Sequence, residues 1–205
     1  MTQADHIIKK RLYEVTGLIR IFIDQGHNPN NPNAGAEANG VREQDVNYIV
    51  GKELEQLLLD NGNFAVQVSR PTPETQLGTS NASSLRARVQ AANEWGADYF
   101  ISLHCNANEN PSASGSEAYV YRRAGEAYVL AQHILEGLHE TTGLANRGVM
   151  INPNLYVLRE TTMPAVLVEM GFLTNPSDAQ LLVDHPDWFA QGIYQGILSY
   201  FGMEA

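Results

Sequence analysis

Three short apolar runs set the frame of the chain: Leu18 to Ile23 (LIRIFI), Tyr99 to Leu103 (YFISL) and Ala165 to Val168 (AVLV). Runs of this length, mostly β-branched, aliphatic or aromatic, suit strands buried on both faces. Phe64 to Ser69 (FAVQVS) and Ser116 to Tyr121 (SEAYVY) read as further strands. Helical spacing lies between them. Gln44 to Asp60 lines up Val46, Ile49, Val50, Leu54, Leu57 and Leu58, and Asn61-Gly62 stops it. Leu85 to Trp95 lines up Leu85, Val89, Ala92 and Trp95 before Gly96. Glu126 to Glu140 and Asp187 to Phe201 repeat the pattern. Strands alternating with helices predict an α/β three-layer sandwich around a largely parallel sheet. Residues 1–17 read as a polar, amphipathic arm, and residues 18–205 as one domain.

Each main run ends in polar residues. The first leads into Asp24-Gln25-Gly26-His27, the second into His104-Cys105-Asn106, the third into Glu169-Met170-Gly171-Phe172. In open α/β sheets ligands gather at the carboxyl ends of the strands. Two histidines and a carboxylate from separate strands can therefore meet in one cleft. That is a common catalytic zinc set, with a fourth position left for water, and a further carboxylate then handles protons. Glu43 and Glu169 are the carboxylates nearest the motifs. Glu43 opens the first long helix after the Gly-containing loop Asn33 to Gly40, which can fold it back beside His27. Spacing alone leaves open which of the two glutamates would bind the ion.

Composition narrows the classes. Among 205 residues, 43% are hydrophobic and 18% charged, an ordinary globular balance. The net charge of −10 argues against a phosphate-binding surface for nucleic acid and against docking on anionic polymers. No apolar run reaches the roughly 18 residues of a membrane span. Lys9, Lys10 and Arg11 are followed by broken apolar spacing, so no export signal is read. The single cysteine, Cys105, excludes an internal disulfide and a Cys-rich zinc site. It is also not read as a nucleophile, because neighbouring strand residues point to opposite faces and Cys105 should turn away from His104. His6, His133, His139 and His185 are read as surface or local structure.

Five segments together carry a resemblance: IFIDQGH (21–27), NGVREQDVN (39–47), SSLRARVQAANEWGADYFISLHCNA (83–107), SGSEAYVY (114–121) and YVLRETTMPAVLVEMGFLTN (156–175). In order and spacing the chain resembles the zinc-dependent N-acetylmuramoyl-L-alanine amidases of the Amidase_3 type. The resemblance implies a twisted six-stranded sheet flanked by helices. It implies one Zn2+ per chain held by His27, Glu43 and His104, with Glu169 as catalytic glutamate. Arg88 (in SLxxR) and Asn106 (in SxHxNA) are taken as supporting or structural residues. The implied substrate is peptidoglycan, cut between N-acetylmuramic acid and L-alanine at the bacterial cell wall. The first motif departs from the family's Asp-Pro/Ala-Gly-His-Gly-Gly, reading Asp24-Gln25-Gly26-His27-Asn28-Pro29. Asn108 to Ser114 leads directly into the SGSEAYVY strand, which leaves no room for the inserted blocking helix of autoinhibited members and predicts an open site. Two rival readings exist: a zinc carboxypeptidase, with Arg147 or Arg159 clamping a terminal carboxylate, and a non-catalytic wall-binding module.

Overall fold

The computed structural model describes residues 17–204. The predicted arm lies outside them except for its last residue. Six strands form one sheet in the order β4-β1-β5-β8-β6-β7. These are β1 (Ile19–Gln25), β4 (Phe64–Val68), β5 (Tyr99–Asn106), β6 (Ser116–Val120), β7 (Asn146–Ile151) and β8 (Ala165–Phe172). β4, β1, β5 and β8 run parallel, whereas β6 joins β8 antiparallel and β7 follows β6 in parallel. A small hairpin, β2 (Glu37–Ala38) with β3 (Val41–Arg42), stands apart.

Alternation along each strand sorts the side chains onto two cores. Ile21, Ile23, Ile101, Leu103, Val166 and Val168 belong to the larger one. It is covered by α1 (Glu43–Asn61), α3 (Glu126–Thr142) and α6 (Pro186–Phe201), through residues such as Val50, Leu54, Leu130, Ile134, Phe189 and Ile197. Phe22, Phe100, Ala165 and Leu167 face the other way, onto Val89 and Ala92 of α2 (Asn81–Trp95) and onto Val157 and Leu158 of the single-turn α4 (Tyr156–Arg159). α5 (Pro176–Asp184) returns from β8 and buries Leu182 in the larger core. α3 and α6 approach closely where Gly137 meets the Gly192 backbone, leaving no space for a Cβ.

The predicted helix stops are where the sequence placed them: Gly62 and Gly96 are left-handed C-caps. α2 begins four residues earlier than its apolar spacing suggested, because Ser80 and Ser83 form a reciprocal capping box. β7 had no sequence signal. It is an edge strand, mostly exposed, interrupted by Gly148, and shows no alternation.

Candidate metal centre and active site

The site is built at the carboxyl ends of β1 and β5 and the amino end of α1. β1 runs out at Gln25, and the chain turns through Gly26 to His27. Gly26 donates its N–H to the Leu103 carbonyl at 3.0 Å, which ties this turn to β5. A Cβ at Gly26 would meet the His104 ring and the Leu103 carbonyl oxygen, so only glycine lets the two ligand-bearing segments touch. His27 itself sits in the left-handed region (φ 68°). A non-glycine residue there is held only by its surroundings.

Arg88 of α2 supplies that hold. It is 1% exposed and pairs with Asp24 at 2.6 Å. Its Nη1 also donates to the Gln25 carbonyl and its Nη2 to the His27 carbonyl, each at 2.6 Å. Burial pushes the Asp24 carboxyl up, but the Arg88 charge and hydrogen bond outweigh that and hold it below its ordinary value. The departure at Asn28 has a structural use. Asn28 is wholly buried, donates to the Pro32 and Leu77 carbonyls, and accepts from Leu77 N–H. It therefore closes the following loop from inside.

That loop delivers Glu43. The β2–β3 hairpin turns at Asn39-Gly40, both with positive φ, which is a two-residue turn that Asn-Gly favours. Asn39 Nδ2 is fastened to the Leu173 carbonyl at 2.8 Å. Glu43, the first residue of α1, is buried at 4% exposure and points to both imidazoles. Its Oε1 lies 2.9 Å from His104 Nδ1 and 3.1 Å from His27 Nε2. It also accepts the Cys105 N–H at 3.1 Å, while Oε2 accepts the Ala36 N–H at 2.9 Å. Burial pushes this carboxyl up, but hydrogen bonds and charge from His104 and His27 prevail and hold it well below the carboxylate range.

Among the described residues, His27, Glu43 and His104 are the one His/Cys/Asp/Glu group whose donor atoms converge, all within 4.8 Å of one another. Two imidazole nitrogens and a carboxylate held ionised fit a divalent metal such as zinc. The two rings keep 22% and 18% side-chain exposure, so the cluster opens to solvent. No helix stands between β5 and β6. A cleft of about 120 Å³ adjoins the rings, lined on its apolar side by Leu85, Leu155, Tyr156, Val157 and Leu167.

Glu169 stands beside the cluster. It is the register partner of His104 across β5–β8, so both side chains share one face. Its Oε2 is buried without any hydrogen-bond partner among the described residues. Burial, then the charges of Glu43 and Glu117, push its carboxyl up to about 8. A part-buried acid with an unpartnered inner oxygen next to a metal-type donor set is an arrangement for proton handling.

Asn106 does not reach the donor cluster by a hydrogen bond. Its Nδ2 donates to Glu117 Oε1 at 2.7 Å. Glu117, which is the register partner of Glu169 on β6, had not been singled out in the sequence. It is buried, and three donors hold it: Asn106, the Tyr119 hydroxyl at 2.8 Å and Arg147 Nε at 2.8 Å. A carboxylate at the start of an apolar alternating strand was its one sequence signal. Cys105 lies on the opposite face, in the larger core. Its thiol is pushed well above its ordinary value by burial and by the charges of Glu43 and Glu169. His133 bonds Ser199 across α3 and α6, His139 holds a local bond to the Leu144 carbonyl, and His185 stacks on Trp188.

Fold and site together define an α/β domain with a candidate metal centre at the carboxyl ends of its parallel strands. The family profile of N-acetylmuramoyl-L-alanine amidase, Amidase_3, matches residues 21–199. The chain belongs to this family. It is 36% identical to the N-acetylmuramoyl-L-alanine amidase CwlM of Bacillus licheniformis, over 87% of this chain and 66% of that protein. It is likewise 36% identical to LytC of Bacillus subtilis strain 168, over 88% of this chain and 35% of that protein. The chain thus spans less than two thirds of the length of either relative. The solved N-acetylmuramoyl-L-alanine amidase of Clostridium difficile 630 superposes with a TM-score of 0.81 at 34% identity, over 92% of this chain and 99% of that one. No described helix is long and apolar enough to cross a membrane.

Proposed function

We propose that residues 18–205 form a catalytic domain that hydrolyses the amide between the lactyl group of N-acetylmuramic acid and L-alanine in bacterial peptidoglycan, acting at the cell wall with one zinc ion per chain. The observation that carries this reading is the convergence of His27 Nε2, His104 Nδ1 and a Glu43 carboxylate oxygen, with the unpartnered Glu169 carboxyl alongside. The named activity of the relatives supports the same reaction.

In this reading His27, Glu43 and His104 hold the ion. Lewis acidity is what zinc supplies when bound, acidifying water towards a pKa of about 7 and polarising the carbonyl. Glu169 takes the proton of the attacking water and delivers it to the departing alanine nitrogen. Its high affinity for that proton follows from burial and from the neighbouring carboxylates. A cation at the three donors would offset the repulsion from Glu43 and favour the ionised form of Glu169, the form that can accept a proton. Arg88 positions His27 through its backbone carbonyl. Asn106 keeps Glu117 in place beside Glu169.

The deciding experiment is product mapping by mass spectrometry on purified walls, with metal analysis of the same zinc-loaded sample. The expected products are intact glycan and peptides with a new amino-terminal alanine. Release of single terminal amino acids would instead identify a carboxypeptidase. Walls bound but left uncut would identify a binding module.

A further inference from the structure

A row of four side chains crosses the sheet at the carboxyl end of β5: His104, Glu169, Glu117 and Arg147, from β5, β8, β6 and β7 in turn. Register pairs His104 with Glu169 and Glu169 with Glu117. A shift in the β6–β7 register between Ser116 and Ala118 brings Arg147 opposite Glu117, which its Nε reaches at 2.8 Å. Strands are spaced about 4.8 Å apart, so the Arg147 backbone stands about 10 Å from that of Glu169. An extended peptide covers this span in about three residues.

Arg147 is held more firmly than a surface arginine needs to be. Its aliphatic stem crosses Gly115, where a Cβ would sit 3.0 Å from both Cγ and Cδ. Gly115 is itself fixed by its N–H to buried Asp178 at 3.1 Å. The guanidinium lies over the Phe172 ring, 4.9 Å from its centroid, and Nη1 reaches the Ser114 carbonyl at 3.3 Å. The side chain nevertheless keeps 38% exposure, and its hydrogen bonds among the described residues run through Nε and Nη1, which leaves Nη2 open. A pre-oriented guanidinium with an open edge is suited to a planar anion.

We propose that Arg147 is the anchor of a carboxylate-binding subsite, which takes a carboxylate of the stem peptide beyond the alanine. The proposal rests on the amidase reading above. It places the stem peptide across β8, β6 and β7, with the scissile amide at Glu169 and the anionic portion over Arg147. The simpler alternative is that Arg147 only neutralises buried Glu117.

Two sources of the carboxylate exist on a muramyl tripeptide: the α-carboxylate of a γ-linked D-glutamate at the second position, and the chain terminus. The test compares MurNAc-L-Ala-γ-D-Glu-L-Lys with its second-residue α-amide and its terminal amide. The zinc-loaded chain and its Arg147→Gln and Arg147→Lys variants are assayed on all three. In the unaltered chain, amidation at the recognised position is expected to raise KM about tenfold with little change in kcat. The amide that does so identifies the source. In Arg147→Gln that discrimination is lost, and in Arg147→Lys it is partly kept. Equal loss on all three substrates, or unchanged discrimination in Arg147→Gln, overturns the proposal. Failure of the unaltered chain to cleave any of the three would count against the amidase reading instead.

Discussion

Arg88 and Asp24 face each other at 2.6 Å, each only 1% exposed, and the same guanidinium grips the backbone on either side of the turn that carries His27. The pair couples the stability of the fold to the placement of a candidate metal ligand. Removing one partner of a buried ion pair leaves an uncompensated charge and costs about 3–5 kcal/mol. Arg88→Ala is expected to lose that much in urea denaturation and to lower zinc retention in dialysis. Arg88→Lys keeps the charge without the fork, and should fall between. Unfolding midpoints unchanged in Arg88→Ala would show that the buried pair adds nothing.

Glu169→Gln keeps the shape and removes the proposed base. Turnover is expected to fall about 10²–10⁴-fold, with zinc content equal to that of the unaltered chain by elemental analysis. Loss of the ion from this variant would mean that Glu169 is itself a ligand.

Glu43→Gln should behave in the opposite way and retain less zinc at equal dialysis. Chelation should stop hydrolysis while the circular dichroism spectrum persists, because the two apolar cores form without the site. Global unfolding on chelation would contradict this.

The metal-free chain offers a pH test. Glu169 is raised in the fold from 4.5 to about 8. Its protonated form therefore favours the folded state, a contribution fully present below pH 4.5 and lost as pH rises through about 8. Glu43 is lowered, so its contribution is present above pH 4.5 and is lost only in acid. Between these limits the unfolding free energy of the metal-free chain should fall with pH by a few kcal/mol, discounted for the partial exposure of Glu169. Glu169→Gln should flatten that slope. Parallel profiles for the two proteins would refute the assignment.

Cys105 sits in the larger core with its thiol suppressed. Cys105→Ala is expected to cost about 1–2 kcal/mol of packing and to leave turnover unchanged. A large drop in kcat would reopen thiol chemistry.

What the sequence carried was the part written as local pattern. Strands buried on both faces announced β1, β5 and β8, and periodic helices announced α1, α2, α3 and α6. The clustering of His27 and His104 followed from their position at strand ends. β7 stayed hidden because an exposed edge strand with an internal glycine has no face to alternate. The β2–β3 hairpin was marked by Asn39-Gly40, and α5 by Asn175 as cap with Pro176 behind it. Those signals are short and were outweighed by the longer runs around them. Glu117 had only its place in an apolar strand to mark it, since Asn106 and Arg147 reach it only once their strands are assembled around β6.

β8 is the last strand in the chain, yet it lies inside the sheet, between β5 and β6. As a polypeptide leaves the ribosome, β4, β1 and β5 can associate, and β6 with β7, but the seam between the two groups waits for residues 165–172. The same segment brings Glu169. Any product that ends before residue 165 therefore lacks both the strand that joins the two halves of the sheet and the candidate proton carrier that strand bears.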